Sequence, residues 1–185
     1  MLQIDHRDSH DVDLFINDIQ LLPYFNPETQ DYDLTIEPSG YVAEAGSLKV
    51  SFDGVGEIDV ICCSTVTDRP SQLADVAGRS ILRETPAEII AKKIVYRGSR
   101  LQPRDMFDIA AVSHALGEAY LVEALSGIKP DIATALRTVE QSDDRSVAIV
   151  VSRLLVKPDF RDVQSSAKAR ATDVLRACLL ISERN

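Results

Sequence analysis

The sequence predicts an α+β protein in which a small mixed β-sheet is followed by a helical domain. Residues 48–52 alternate apolar and polar side chains and lead into Asp53-Gly54, which is a typical hairpin turn. In the second half of the chain the apolar residues recur instead at the helical period of 3.6 residues. This change of period predicts a strand-rich domain over residues 1–85 and a helical domain over residues 86–185.

The predicted strands are short apolar runs bounded by turn residues. We expect strands at residues 1–5, 11–16, 33–36, 41–45, 48–52, 55–63 and 78–84. A short helix is expected at residues 19–22, because Asn17 and Asp18 are good cap residues, and a brief one after Pro27.

Start and stop signals define the helices. Thr85-Pro86-Ala87-Glu88 combines an N-cap, a proline at the first helical position and the glutamate of a capping box. That helix is predicted to end at Gly98, and a second one to run from Pro103 to Gly117. Further helices are predicted at residues 118–126, 130–140, 144–155 and 164–182.

Composition is typical of a globular protein of the cytoplasm. The 185 residues are 45% hydrophobic and 26% charged, with no apolar run of transmembrane length. Because the N-terminus lacks an apolar signal core, we expect a cytoplasmic location and no membrane partner. The formal net charge of −9 disfavours broad nucleic-acid binding, which needs a basic face, but leaves room for a local basic site.

Two aspartates begin the second predicted strand. Asp11 and Asp13 would point to the same face of a strand, with Val12 turned into the core. Carboxylates held so close favour a cation between them, and Mg²⁺ prefers hard oxygen ligands. The alternative is a strand start with two solvated acids.

Asp59 is a lone acid in the apolar centre of residues 57–61. A buried acid is costly unless it is paired or ligating, so Asp59 is a candidate third carboxylate beside the pair. A strand-end acid that reaches solvent is the alternative. Three carboxylates around two divalent ions would suit in-line phosphoryl or nucleotidyl transfer. The basic helix face that carries Lys92 and Lys93 would then neutralise a triphosphate.

Four motifs in order carry a resemblance to a known family. They are His6-Arg7-Asp8-Ser9-His10-Asp11-Val12-Asp13-Leu14-Phe15, Gly56-Glu57-Ile58-Asp59, Thr85-Pro86-Ala87-Glu88-Ile89-Ile90-Ala91-Lys92-Lys93 and Pro103-Arg104-Asp105-Met106-Phe107-Asp108. Over roughly residues 5–115 the chain resembles the AbiEii/AbiGii-type nucleotidyltransferase toxins of the polymerase-β-like superfamily. The resemblance implies a nucleotidyltransferase-like core with a helical C-terminal domain. It further implies a toxin of a toxin–antitoxin or phage-defence system that uses a nucleoside triphosphate and Mg²⁺ (or Mn²⁺) to modify an RNA, such as tRNA, or a protein.

The resemblance also implies roles for the acids. Asp11 and Asp13 match the metal-binding pair of the family, and Asp13 would be catalytic. Asp59 resembles the third acid, which would act as a general base or as a metal ligand.

Basic residues match the later motifs. Lys93, with Lys92 as its rival, matches the lysine expected on the triphosphate, and Arg104 matches the arginine of the helix that follows. Asp105 and Asp108 belong to the same motif, although a helix cap and an i, i+4 pair of Arg104 with Asp108 are the preferred explanation of the two acids.

One family feature is missing from this sequence. The glycine-rich turn that precedes the acid pair, and whose backbone amides would hold the triphosphate, has no counterpart here. We therefore expect the chain to be N-terminally truncated relative to a full catalytic unit, with weak or absent transfer, and to expose apolar surface that favours a homo-oligomer. A catalytically degenerate member that binds a partner, for example a cognate antitoxin, is the alternative function, and a metal-dependent phosphohydrolase is a third.

Overall fold

The computed structural model describes residues 3–180, and its internal contacts divide the chain into two units. One unit is residues 9–64. The other combines the N-terminal residues up to 8 with the chain from residue 65 onward. The contact boundary at residue 64 therefore lies before the domain boundary predicted at residue 85.

The unit of residues 9–64 is built on a mixed four-stranded sheet, as the sequence predicts. Its strands are β1 (Val12–Ile16), β2 (Gly40–Ala43), β3 (Ser47–Phe52) and β4 (Gly56–Cys62). Their spatial order is β1-β4-β3-β2, in which β1 is parallel to β4 and the other neighbours are antiparallel. A 3₁₀-helix (Ile19–Phe25) and the single turn α1 (Pro27–Gln30) connect β1 to β2.

One face of this sheet is apolar and packs against the 3₁₀-helix. Leu48, Val50 and Val60 are buried there together with Leu22 of the 3₁₀-helix. Val12 lies on the same face, opposite Ile58 in the register, but remains 51% exposed because β1 is an edge strand. Val12 therefore lies on the predicted face, but the prediction that the core buries it is wrong.

Gly56 allows β1 to approach β4. It has a φ of +148°, and a Cβ built on it would lie 2.1 Å from the carbonyl oxygen of His10. A side chain at this position would push the chain before β1 away, since backbone cannot yield as a flexible side chain can. Glycine is therefore required where the two strands that carry the predicted acids begin to pair.

Two predicted strands are wrong. Residues 33–36 form no strand. Tyr32 and Ile36 are half exposed, so the apolar side chains of this segment are not buried against another element. Residues 3–5 form a turn, with Asp5 at a φ of +42°, while Met1 and Leu2 lie outside the described residues. The extended part of the N-terminal segment begins later, where Arg7 makes an antiparallel bridge with Val156.

The second unit is a hairpin followed by helices. The hairpin consists of β5 (Ser71–Val76), which was not predicted, and β6 (Arg79–Glu84). The helices are α2 (Pro86–Arg97), α3 (Pro103–Leu116), α4 (Glu118–Ala124), α5 (Lys129–Gln141), α6 (Asp144–Ser152), α7 (Arg161–Gln164) and α8 (Ala167–Leu180). Short 3₁₀ segments lie at Gly98–Arg100, Ser126–Ile128 and Pro158–Phe160. Within residues 3–180, none of these helices combines the length and the apolar character that crossing a membrane requires.

Helix α3 lies at the centre of this unit and packs against α2, α4, α6, α7 and α8. It is surrounded on nearly every side, so its residues from Asp105 to Val112 are all buried. Two acids of the predicted site, Asp105 and Asp108, are therefore inside the helical core, where a carboxylate needs partners.

Candidate functional site

The face of the sheet opposite the apolar one carries the predicted carboxylates. Asp13 of β1 and Asp59 of β4 are register partners on neighbouring parallel strands, so their side chains leave the same face. Asp11 is exposed and precedes β1 by one residue, and the alternation of the chain directs it to the same side as Asp13. The structure thus brings Asp13 and Asp59 side by side.

A lysine that the sequence analysis did not select stands on the same face. Lys49 of β3 is the register partner of Asp59, and its Nζ lies 3.1 Å from Oδ2 of Asp59 and also donates to Glu57. The hydrogen bond to Glu57 is the main cause that raises the pKa of Lys49, and the same bond lowers the pKa of Glu57. The chain therefore supplies a positive charge beside Asp59 and Glu57.

These carboxylates fit a divalent ion that arrives with a nucleotide better than a preassembled metal site. Across residues 3–180, no three His, Cys, Asp or Glu side chains are grouped to hold a metal ion. Mg²⁺, however, commonly takes only one or two protein carboxylates and completes its shell with waters and substrate phosphates. Asp13 and Asp59 match that smaller requirement, provided that Asp59 exchanges its contact with Lys49 for the ion.

A second group of predicted residues forms a buried ion cluster around Asp108. Its Oδ1 accepts hydrogen bonds from Nε2 of His6 at 2.6 Å and Nε of Arg7 at 2.9 Å, and its Oδ2 accepts one from Nη2 of Arg7 at 3.2 Å. Lys93 donates to the same Oδ2. Asp108 is 1% exposed, so nearly all of its stabilisation comes from these protein donors.

Lys93 links Asp108 to Asp105. Its Nζ lies 2.7 Å from Oδ1 of Asp105, while the other oxygen of Asp105 accepts from the backbone N–H of Gln102 at 3.1 Å and so caps α3. The side chain of Lys93 is only 15% exposed. The expectation that Lys93 is an exposed lysine on a basic helix face is therefore wrong.

The remaining basic candidates differ in their surroundings. Lys92 is buried, forms an ion pair with Glu84 and lies 3.9 Å from Glu88. Arg104 is exposed in the first turn of α3, and among the ion pairs of the described residues it makes none with Asp108. The predicted i, i+4 pair does not form because Asp108 points into the core.

Burial sets the protonation of the ion cluster. Burial by itself would raise the pKa of Asp108. The charge of Lys93 and the hydrogen bonds from His6 and Arg7 nevertheless hold this pKa well below its usual range. Burial lowers the pKa of His6 and outweighs the attraction of Asp108. Neutral His6 has one N–H group, which donates through Nε2 to Asp108. The buried Nδ1 has no hydrogen-bond partner among the described residues, so a second proton on Nδ1 would find no acceptor.

We expect the stability of this unit to fall as the pH falls. His6 and Asp108 both bind fewer protons in the folded than in the unfolded chain, so each contributes stability that is present above its unfolded pKa and lost on acidification. For His6 the loss begins below about 6.5 and for Asp108 below about 3.8. The melting temperature, measured between pH 8 and pH 5, tests the contribution of His6. In His6→Gln the melting temperature should depend less on pH over this range. The exposed control His10→Gln should keep the slope of the parent; an equal slope in His6→Gln would contradict the assignment.

Four charged or polar members of these groups were not predicted from the sequence: His6, Arg7, Lys49 and Glu57. His6 and Arg7 were quoted within a motif but had no assigned role, because their partner Asp108 is about a hundred positions away. Lys49 did have a signal, since it is the only Lys or Arg between residues 8 and 68 and sits on a strand next to the one that carries Asp59.

Comparisons with known proteins add little to this geometry. No protein-family model matches the chain, and no curated protein matches it. A crystal structure from H. pylori, described as that of a candidate nucleotidyltransferase, is similar over 94% of this chain and 79% of its own, with 12% identity and a TM-score of 0.40. This likeness assigns neither a family nor a function to the chain.

Proposed function

We propose that this chain is a metal-dependent nucleotidyltransferase, which transfers a nucleoside monophosphate from a nucleoside triphosphate to an RNA or protein acceptor. The observation that supports the proposal is the pairing of Asp13 and Asp59 on one face of the sheet. Two adjacent carboxylates with room for solvent suit a Mg²⁺–triphosphate complex. A role as the toxin of a toxin–antitoxin or phage-defence system belongs to the proposal through the resemblance of the motifs alone.

The proposed reaction uses three aspartates. Asp13 and Asp59, with Asp11 beside Asp13, would hold the Mg²⁺, which when bound neutralises charge on the triphosphate. Asp59 would accept the proton of the acceptor hydroxyl as its oxygen forms a bond to the α-phosphorus. The bond between the α-phosphorus and the bridging oxygen then breaks, and pyrophosphate leaves with the electron pair.

The basic candidates of the helical unit take no part in the proposed reaction. Arg104 is exposed, whereas Lys93 and Lys92 are already bonded to carboxylates. A contact of any of them with a triphosphate is implied by the resemblance of the motifs alone.

The contact of Lys49 with Asp59 and Glu57 favours a second function, in which the chain is a catalytically degenerate binding protein. In that case the lysine replaces the metal permanently and the acids remain as surface charges. The two functions differ in one measurable property, because only the first requires a metal for nucleotide binding.

Calorimetric titration with ATP or CTP in the presence of Mn²⁺ tests the choice. We expect nucleotide binding that disappears when the metal is chelated, together with at most weak transfer of labelled nucleotide to RNA or protein, because the chain lacks the glycine-rich turn. Binding of equal strength with and without the metal would contradict the enzymatic proposal. Absence of binding under both conditions would support the binding protein.

A homo-oligomer also remains a proposal. Leu73 of β5 and Leu82 of β6 are register partners on one face of the hairpin and are 74% and 71% exposed. An open two-stranded hairpin with a leucine pair favours association with another copy. Sedimentation velocity over a range of concentrations shows whether it occurs.

A further inference from the structure

The segment of residues 18–37 carries exposed apolar side chains, and it contains the 3₁₀-helix and α1. The 3₁₀-helix buries Leu22 against the sheet, and the side chains three apart line up along such a helix. Leu21 and Tyr24 therefore form one outward row, and Tyr24 is 62% exposed. Covering neighbouring exposed apolar side chains with another molecule is favourable, so this row is a candidate contact surface.

Hydrogen bonds fix the shape of this surface. The hydroxyl of Tyr32 donates to the carbonyl oxygen of Tyr24 at 2.5 Å, which places the second tyrosine beside the first. Asp18 caps the 3₁₀-helix through the N–H of Gln20 at 2.9 Å. Leu21, Tyr24 and Tyr32, which we call the tyrosine surface, are therefore presented by a preorganised backbone, so binding would cost little ordering entropy.

The segment that carries the tyrosine surface has only negative charges among its Asp, Glu, Lys and Arg side chains. The segment of residues 18–37 contains five acids and no Lys or Arg: Asp18, Glu28, Asp31, Asp33 and Glu37. The whole unit of residues 9–64 contains eleven acids and one basic residue, Lys49, which is bonded to Glu57 and Asp59. The net negative charge of the chain is thus concentrated in this unit.

We propose that the tyrosine surface docks a partner protein through a positively charged element that also carries apolar anchor side chains. Tyrosines are typical anchors of protein interfaces, and the surrounding acids would select and steer a cationic partner. A second copy of this chain fits poorly, because a two-fold contact would place the same acidic surface against itself. A nucleic acid is repelled by the same charge. The proposal does not depend on nucleotidyl transfer.

The probe is a synthetic amphipathic helical peptide made of lysine and leucine, titrated at low and high salt by fluorescence anisotropy. Tyr24→Ala and the double change Glu28→Lys/Asp33→Lys should each weaken binding by about tenfold. Leu21→Asn, which leaves the tyrosines in place, should weaken it as well and serves if Tyr24→Ala fails to fold. The matched controls Leu155→Ala and Glu123→Lys change exposed residues of the other unit and should bind as the parent does.

Several outcomes would overturn the proposal. Equal binding of a peptide in which serine replaces leucine would show general charge attraction rather than docking. Unchanged affinity in both Tyr24→Ala and the double variant would place the peptide elsewhere. A dimer that Tyr24→Ala dissociates would make a second copy the occupant, and direct binding of a labelled single-stranded oligonucleotide that Tyr24→Ala weakens would make it a nucleic acid.

Discussion

Replacing Asp108 by asparagine should lower the free energy of unfolding by about 3–5 kcal/mol, because the change breaks a buried ion cluster from one side. Donors from His6, Arg7 and Lys93 converge on the two carboxylate oxygens of Asp108. An asparagine amide would turn an N–H group toward one of these donors and remove the negative charge that balances the two cations. Denaturant unfolding followed by circular dichroism measures the effect.

A matched control is available in the same unit. Asp173→Asn makes the same chemical change on the exposed side of α8 and should alter the free energy of unfolding by no more than about 0.5 kcal/mol. If Asp108→Asn were as mild as this control, the ion cluster would contribute nothing to the fold.

Lys93→Met separates the structural from the functional interpretation of Lys93: a large loss of stability with unchanged nucleotide affinity identifies a structural residue, and the reverse identifies a phosphate ligand.

The sequence was sufficient to predict the helices because their boundaries are local. Thr85 and Pro86 begin α2 as expected, and the side chain of Thr85 accepts from the N–H of Glu88 at 3.2 Å. Glu88 itself departs from the capping box, since its carboxylate accepts from the N–H groups of Val66 and Thr67 instead. These partners belong to a loop some twenty residues earlier in the chain. The local sequence around Glu88 therefore cannot predict them.

The register of the sheet shows a second limit of local reasoning. The turn between β3 and β4 has three residues, with Phe52 opposite Gly56, so Lys49 faces Asp59. A two-residue turn centred on Asp53-Gly54 would shift the pairing by one and put Lys49 opposite Ile58, on the wrong face for Asp59. The sequence could therefore predict that Asp13 and Asp59 lie on neighbouring strands, but not that a lysine flanks Asp59 on its other side.

The buried ion cluster could not be predicted from spacing at all. Arg104 and Asp108 suggested a helix-surface pair, whereas α3 is enclosed by other helices and directs Asp108 inward. The turn and bridge at Arg7 bring His6 and Arg7 to Asp108, and His6 stacks on Phe107 at 5.5 Å between ring centres. Only tertiary packing joins these residues, because more than a hundred positions separate them.

Replacing Asp13 by asparagine should abolish nucleotidyl transfer while the sheet stays folded. A carboxylate that holds the metal contributes several kcal/mol to the transition state, which corresponds to a loss of roughly 10²–10³-fold in rate. Asp13 is exposed on an edge strand, and asparagine keeps its shape, so thermal unfolding should change little. Transfer of labelled nucleotide, measured beside the melting temperature, tests both statements.

Two further variants make this result decisive. Glu44→Gln removes an exposed charge directly after β2 and should retain the parent's rate. That result would exclude a general loss of negative charge as the cause of the effect of Asp13→Asn. Lys49→Met frees Asp59 from its ion pair and should strengthen the binding of Mn²⁺ if the metal and the lysine compete for the same carboxylate. Equal rates for the parent and Asp13→Asn would refute the proposed reaction. Unchanged Mn²⁺ affinity in Lys49→Met would show that the ion does not replace the lysine beside Asp59.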